Sequence, residues 1–185
     1  MNQATLPTGP ATVILSASLN ADSNSRILAR EAQRVLEGDG QPVTLVDLRD
    51  YPLPFCDAGP AYEHPHVSFL SEVIHRATAA IVATPIYNYD GNAALKNLIE
   101  LTGSHAWEGK VVGFLCAAAG KSSYMSIMGF ANSLMLDFRS VIVPRFVYAT
   151  GAAFSEGRLT DPEQIRRVAE LARATARLGS LVQAA

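Results

Sequence analysis

Length, composition and charge exclude several classes of protein. The chain has 185 residues, of which 49% are hydrophobic and 17% charged, and its 15 basic and 17 acidic residues give a formal net charge of -2. A disordered chain would be less hydrophobic and a nucleic-acid-binding protein would carry a basic excess, so we expect one globular domain over residues 1–185.

Short apolar runs alternate with helix-like stretches along the chain. These runs are rich in valine and isoleucine and end in polar or turn residues, as strands covered on both faces do. They lie at residues 12–17, 42–47, 79–84, 110–117 and 140–143. This alternation predicts an α/β fold, with a doubly wound parallel sheet of five strands and helices on both faces.

Helices are predicted between the strands. In the first, Leu28, Ala32, Val35 and Leu36 form an apolar stripe that suits packing on the sheet. Others are predicted at about residues 67–76, 91–102 and 122–138, and a last one begins at residues 160–163, where Thr160 and Glu163 suggest a capping box. The helix at 122–138 is apolar almost all round, which predicts burial on two sides.

The loop after the first strand, residues 16–25, is rich in hydrogen-bonding groups. It holds four serine hydroxyls and two asparagine amides, and it runs into the start of a helix. Hydroxyls and the free N–H groups of a helix start favour a phosphate group. This loop contains neither a Gly-x-Gly-x-x-Gly nor a Gly-Lys-Ser/Thr motif, which argues against a dinucleotide fingerprint or a nucleoside triphosphatase loop here. The alternative is that Ser23 or Ser25 only caps the helix.

Two further loops follow strands and enter helices. Residues 84–91 read TPIYNYDG, whose tyrosines offer flat apolar faces with polar tips and suit a planar heterocycle. Residues 117–123 read AAAGKSS, whose small side chains permit close approach of a ligand to the backbone. Because ligands bind beyond the carboxyl ends of parallel strands, the three loops predict one shared site. The second loop alone is equally compatible with an aromatic turn.

These loops together resemble the NADPH-dependent FMN reductase family of flavodoxin-like proteins. The resemblance runs from about residue 13 to about residue 154, and its most specific part is TPIYNYDGNAALKNLIE. It implies a flavodoxin-like sheet with strand order 2-1-3-4-5. It also implies an oxidoreductase that uses FMN with NADPH or NADH and passes electrons to a small-molecule acceptor, such as free flavin, a quinone or an azo compound.

The resemblance also implies which residues bind FMN. The phosphate would be held by Ser18, Asn20, Ser23 and Ser25. The isoalloxazine would be lined by Pro85, Ile86, Tyr87 and Asn88, and Ala119, Gly120 and Lys121 would close over its other edge. The family's first loop usually reads Gly-Ser-x-Arg, whereas Ala17 and Asn20 stand at the glycine and arginine positions here. Arg26 is a candidate to replace the missing positive charge.

Other functions remain open at this point. The family resemblance is also compatible with a flavodoxin-type electron carrier, although such carriers are expected to be strongly acidic, or with an interaction protein that has lost FMN. His64 and His66 lack a cluster that would complete a metal site, and a Gly-x-Ser-x-Gly turn for hydrolysis is absent. Cys116 lies in a predicted core strand and is expected to be inert.

Partners and location can also be predicted. The apolar helix at 122–138 would leave a large exposed patch on a monomer, and the resembling family commonly forms dimers or tetramers, so we expect a homodimer or homotetramer. In the alternative, residues 50–65 or the carboxyl-terminal segment cover that face. Because the sequence contains no membrane-spanning apolar run or signal peptide, we expect a cytoplasmic protein without membrane or nucleic-acid partners.

Cys56 and Cys116 are expected to be reduced.

Overall fold

The structure, a computed structural model, describes residues 11–183 and is built around a mainly parallel sheet. The strands are β1 (Thr12–Ser16), β2 (Val43–Asp47), β3 (Ala79–Tyr87), β4 (Asp90–Gly91), β5 (Val111–Ala118), β6 (Val141–Ile142), β7 (Val147–Thr150), β8 (Phe154–Ser155) and β9 (Arg158–Leu159). The parallel order is β2-β1-β3-β5-β6. This confirms the predicted order 2-1-3-4-5, because β5 and β6 correspond to the fourth and fifth predicted strands.

The predicted fifth strand is divided into two pieces. β6 pairs with the start of β5, and β7 pairs in parallel with its end. Pro144 lies between them and has no N–H to donate to the ladder. The prediction of a strand at 140–143 was therefore too short, and it missed β7. A short antiparallel strand, β4, pairs with the end of β3, and β8 and β9 form a separate ribbon.

Five helices cover the sheet, as a doubly wound fold requires. They are α1 (Asn24–Gly38), α2 (Pro65–Arg76), α3 (Ala93–Trp107), α4 (Met128–Phe138) and α5 (Pro162–Gln183). α1 and α5 pack on one face around Ile14, Ile81 and Leu115. α2, α3 and α4 pack on the other face around Val13, Val82 and Phe114. Alternate residues of each buried strand therefore supply the two apolar cores.

One predicted helix boundary coincides with a kink, and another was wrong. Helical geometry in α3 is interrupted at Gly103, directly after the predicted end at residue 102, and a second short stretch continues to Trp107; Gly103 has φ 54° and ψ -158°, a conformation that favours glycine. α4 begins at Met128 rather than at residue 122, because residues 122–127 form turns in which Ser126 Oγ donates to the Ser123 carbonyl at 2.6 Å.

The start of the last helix is capped by a different residue from the one predicted. Asp161 Oδ1 accepts hydrogen bonds from the N–H groups of Glu163 (2.8 Å) and Gln164 (3.3 Å). Thr160 Oγ1 instead donates to the Ala153 carbonyl, and the Glu163 carboxylate pairs with Arg166. An aspartate cap therefore takes the place of the predicted capping box.

The described residues hold no helix long and apolar enough to cross a membrane. Both cysteines are free thiols, with Cys56 half-buried and Cys116 buried. Burial raises the pKa of the Cys116 thiol to about 12, which agrees with the expectation that this side chain is inert.

Candidate functional site

The carboxyl ends of β1, β3, β5 and β7 meet at one edge of the sheet around a cavity of about 270 Å³, which we call the loop cavity. Its lining comprises Asn20, Asp22, Ser23, Asn24, Ser25, Pro85, Ile86, Tyr87, Ala117, Ala118, Ala119 and Gly151. The three predicted loops therefore do share one site. β7 adds a fourth contribution, which the sequence analysis missed together with the strand itself.

Arg26 organises the first loop through its buried guanidinium. Nη1 donates to the carbonyls of Asn20 and Ala21, each at 2.7 Å, and Nη2 donates to that of Ser18 at 3.0 Å. Nε and Nη2 also bind Asp47 at the end of β2, at 2.5 and 3.3 Å. All five N–H donors of Arg26 are thus engaged. This contradicts the expectation that Arg26 offers its charge to a phosphate, because it holds the loop instead.

Asp47 is the counter-ion of this arrangement. Burial alone would raise the pKa of its carboxyl, but the hydrogen bonds from Arg26 and the Arg49 N–H, together with the two guanidinium charges, hold that pKa below its ordinary value. Asp47 therefore stays ionised and keeps Arg26 paired.

The start of α1 leaves backbone donors free beside the loop cavity. Within residues 11–183, the N–H groups of Ser23, Asn24 and Ser25 have no hydrogen-bond acceptor. Ser23 occupies the N-cap position, yet its side chain makes no capping bond and instead pairs with Ser25 Oγ at 2.8 Å. The alternative that Ser23 only caps the helix is therefore wrong. A helix start with unpaired donors and no acidic residue in its first turn is suited to an anion.

Asn92 links the first loop to the end of β3. Its Nδ2 donates to the Ala17 carbonyl at 2.8 Å, and its Oδ1 accepts from Thr84 Oγ1 at 3.1 Å and from the Leu95 N–H at 3.3 Å. The sequence analysis gave this buried side chain no role. An asparagine directly before the Ala-Ala-Leu helix start was the available signal, since asparagine favours the N-cap.

The second loop is a tight hairpin between β3 and β4. Asn88 and Tyr89 occupy its two central positions with φ of 52° and 62°, as a type I′ turn requires. Pro85 and Ile86 are buried, whereas Tyr87 is 53% exposed and lines the loop cavity. The hairpin thus presents an aromatic edge at the mouth of the cavity, while Asn88 lies at the tip of the turn and not in the lining.

The third loop is held by Tyr148 on β7. The Tyr148 hydroxyl donates to the Gly120 carbonyl at 2.6 Å and pairs with Ser123 Oγ at 2.5 Å. This leaves Ala117, Ala118 and Ala119 opposite the first loop. An apolar slot therefore forms between the alanines and the end of β3.

Seven of the eleven predicted site residues line the loop cavity, and the other four lie outside its lining. Asn20, Ser23, Ser25, Pro85, Ile86, Tyr87 and Ala119 line the loop cavity. Ser18 is buried beneath it and accepts from the Asn20 N–H at 3.3 Å. Gly120 is outside the lining, and Lys121 lines a neighbouring cavity. Asp22, Asn24, Ala117, Ala118 and Gly151 line the cavity but were not among the predicted binding residues.

The residues present fit FMN. The unpaired N–H groups and hydroxyls of the first loop suit a phosphate, and the slot between the alanines and Pro85–Ile86–Tyr87 suits a flat ring system. Asp22, which is exposed at the rim, is the only acidic residue in the lining.

Comparisons with known proteins point the same way. A protein of Geobacillus thermodenitrificans named NAD(P)H-dependent FAD/FMN reductase is 33% identical over 132 residues, which span 70% of this chain and 71% of that protein. One of Pseudomonas putida named FMN reductase (NADPH) is 26% identical over 161 residues, 85% of this chain and 80% of that one. The solved structure of FerB, a flavoenzyme NAD(P)H:(acceptor) oxidoreductase from Paracoccus denitrificans, has a TM-score of 0.75 at 20% identity and covers 92% of this chain and 97% of its own.

The family assignment follows from the sequence profile. The profile of NADPH-dependent FMN reductase matches residues 10–154, which contain all the loops that form the cavity. The chain therefore belongs to the NADPH-dependent FMN reductase family, whose members are oxidoreductases that use NAD(P)H and FMN.

Proposed function

We propose that this chain holds FMN in the loop cavity and reduces it with NAD(P)H, after which a small-molecule acceptor takes the electrons. When bound, FMN supplies the chemistry: it takes a hydride, two electrons and one proton, from the nicotinamide and gives two electrons to the acceptor. The observation that carries the proposal is the set of unpaired N–H groups of Ser23, Asn24 and Ser25 in the cavity lining.

The phosphate is held in this proposal without a fixed positive charge. The N–H groups at the start of α1 and the hydroxyls of Ser23 and Ser25 donate to it, and the helix dipole adds a favourable potential. Ser18 and Asn20 act indirectly. The Ser18 hydroxyl accepts a hydrogen bond from the Asn20 N–H, which fixes the shape of the loop. Arg26 contributes by holding three carbonyls of this loop.

The ring lies in this proposal between the end of β3 and the third loop. Pro85 and Ile86 form one wall, Ala118 and Ala119 form the other, and Tyr87 stands at the exposed edge. Asn88 and Gly120 shape the two loops through the hairpin turn and the bond to Tyr148. Because FMN supplies the chemistry when bound, the side chains of the lining orient the ring in this proposal.

The exposed tyrosine edge supports a planar acceptor. Tyr87 and Tyr89 are more than half exposed beside the mouth of the cavity. Free flavin, a quinone or an azo compound could pack against such faces. We place the acceptor on this side.

The proposal also includes a homodimer formed through α4. Met128, Met135 and Leu136 are exposed on this helix, and a groove of about 700 Å³ between α3 and α4 is lined by Ile99, Phe130, Leu134 and Phe138. The same groove reaches Asp90 and Gly91 in the hairpin. A second copy seated there would lie next to the flavin site.

The test is a titration of the purified protein with FMN, followed by its visible spectrum. Replacing Ser23 and Ser25 together with alanine removes hydrogen bonds to a charged group, each worth about 1.5–3 kcal/mol, so the FMN dissociation constant should rise at least tenfold. Ser68→Ala, at an exposed position on α2, is the matched control and should leave it unchanged. No FMN binding at micromolar concentration in the unmodified protein would refute the proposal.

Anaerobic addition of NADPH separates the enzyme from a flavodoxin-type carrier. Bleaching of bound FMN that recovers when a quinone is added supports reductase activity. Bound FMN that NADPH and NADH leave oxidised would support the carrier instead.

A further inference from the structure

A second cavity of about 400 Å³, which we call the side cavity, borders the loop cavity. It is lined by Lys121, Tyr124, Tyr148, Thr150, Asp161 and Gln164, with Ala152 and Ala153. Gly151 lines the loop cavity between Thr150 and Ala152, and Ala119 lines it two residues before Lys121. The same two segments therefore contribute to both cavities, so a ligand in the side cavity lies close to one in the loop cavity.

Gln164, one of the residues that line the side cavity, carries an unsatisfied acceptor. Its Oε1 atom is buried and has no hydrogen-bond partner within residues 11–183. An unpaired buried acceptor costs free energy, and a ligand that donates an N–H or O–H at this point would remove that cost. Among the buried side-chain oxygen and nitrogen atoms of the described residues, it is one of two that lack a hydrogen-bond partner.

Asp161 provides a second acceptor beside it. Its Oδ1 is committed to the N–H groups of Glu163 and Gln164. Its Oδ2 accepts no hydrogen bond from the residues that the structure describes. The amino-terminal end of α5 therefore presents two acceptors, which the amino group and hydroxyls of a nucleoside require.

Lys121 adds a positive charge with no counter-ion. Its side chain is exposed and forms no ion pair with any of the residues 11–183. A free ammonium at the mouth of a cavity favours a phosphate, which it binds as a point charge. The loop cavity, by contrast, has no cationic side chain in its lining.

The aromatic wall is fixed in place. Tyr124 packs edge-to-face on Tyr148, with ring centroids 5.6 Å apart, and Tyr148 is anchored by Gly120 and Ser123. The Tyr124 ring is about half exposed, so it offers a surface for a base. Only two alanines are apolar in the rest of the lining, which suits a polar nucleoside better than a second flavin ring.

From these contacts we infer that the side cavity binds the adenosine half of NAD(P)H. The adenine lies against Tyr124, hydroxyl or amino groups donate to Gln164 and Asp161, and Lys121 pairs with a phosphate. The nicotinamide half then extends toward the flavin ring that the proposed function places in the loop cavity. This inference rests on the proposed function, since it assigns a place to the nicotinamide substrate of that reaction.

The test measures binding of adenosine fragments to the FMN-loaded protein by calorimetry, without turnover. The probes are 2′,5′-ADP and 5′-ADP. Lys121→Ala should weaken at least one of them tenfold or more, Lys121→Arg should restore most of the affinity, and Gln164→Leu should weaken both about fivefold. Arg30→Ala removes an exposed charge on α1 and is the control that should bind as the unmodified protein does.

The two probes show which phosphate Lys121 contacts. A loss of affinity confined to 2′,5′-ADP places Lys121 at the 2′-phosphate and predicts that Lys121→Ala raises the KM for NADPH more than the KM for NADH. An equal loss of affinity for both probes places Lys121 at the 5′-phosphates. Either result supports the inference.

Failure of the inference can be separated from failure of the proposed function. If FMN binds and NADPH bleaches it, yet neither probe binds or neither responds to Lys121→Ala and Gln164→Leu, the inference is overturned and the reductase stands. If FMN does not bind, the proposed function itself fails. The melting temperature of each variant shows whether it is folded.

Discussion

At the scale of single residues, the guanidinium of Arg26 determines how the first loop turns. It gathers the carbonyls of Ser18, Asn20 and Ala21 on one side. The N–H groups of the next three residues are left unpaired at the cavity. In the proposed function, this buried cation therefore assists the phosphate site by organising neutral donors rather than by direct contact.

The first prediction concerns Asp47, the partner of Arg26. Asp47→Asn keeps the shape of the side chain but leaves Arg26, which is 5% exposed, without a counter-ion. The free energy of unfolding should fall by about 3 kcal/mol, the lower end of the range for loss of one member of a buried pair, because three carbonyl contacts remain. FMN affinity should fall as the loop relaxes.

The pH dependence of stability provides a further check on this pair. Because the folded-state pKa of Asp47 lies below its ordinary value, its contribution is present above about pH 4. It is lost as pH falls through the folded-state pKa. When urea unfolding is measured at several pH values, the free energy of unfolding should fall less on the acid side for Asp47→Asn than for the unmodified protein. Asp50→Asn, an exposed neighbour, should behave as the unmodified protein does; an equal effect of the two substitutions would contradict the role of the pair.

The sequence could predict which loops meet at one cavity but not the contacts that hold the first loop. The density of hydroxyls in residues 16–25 and the alternation of strands and helices predicted a phosphate site in that loop, which stays a prediction. The contact between Arg26 and Asp47 joins residues 21 positions apart, so no local pattern reveals it. Arg26 was therefore assigned to the ligand when it belongs to the loop.

At the scale of elements, α5 lies unusually close to β5. A Cβ atom at Gly113 would come within 2.5 Å of Thr175 Oγ1 and 3.1 Å of Leu171 Cδ1, both on α5. The absence of a side chain on β5 thus permits the helix to approach the sheet. Gln164, in the first turn of the same helix, lines the side cavity together with Asp161.

The second prediction tests that close approach. Gly113→Ala should lower the free energy of unfolding by about 1–3 kcal/mol, because overpacking forces α5 away from the sheet. Gly38→Ala at the end of α1 has open space around its Cβ and should be neutral or slightly stabilising. Urea denaturation compares the two variants, and equal stabilities would show that the helix accommodates the extra methyl group.

Periodicity predicted the elements that are buried on both faces and failed where turn chemistry decides. The first four strands and α1 match their apolar patterns. β7 was missed because its valine, tyrosine, alanine and threonine form no continuous apolar run and Pro144 precedes them. α4 starts late because Met125 adopts φ 74° and Ser126 Oγ donates to the Ser123 carbonyl within the preceding turn.

At the scale of the whole molecule, one face of the layered fold stays uncovered. Ile127, Phe130, Ala131, Leu134 and Phe138 are buried against the chain, whereas Met128, Met135 and Leu136 on α4 are exposed. Burial of α4 on two sides is therefore not achieved within one chain. The alternative cover, residues 50–65, docks on α3, where Asn97 bonds to the Pro54 carbonyl and the Cys56 N–H. Cys56 and Tyr62 of that segment line the groove beside α4 but leave the two methionines and Leu136 exposed. The carboxyl-terminal helix α5 lies on the opposite face of the sheet.

The last prediction is that Met135→Glu disperses a dimer. Two copies that pair their α4 helices about a two-fold axis would bury the exposed methionines and leucine, and two carboxylates facing each other there would be desolvated without partners. Light scattering at micromolar concentration should give twice 19.8 kDa for the unmodified protein and about 19.8 kDa for Met135→Glu. Leu181→Glu makes the same change at an exposed apolar residue of α5 and should remain dimeric. A monomer mass for the unmodified protein, or a dimer that survives the charge at Met135, would show that α4 is not the contact.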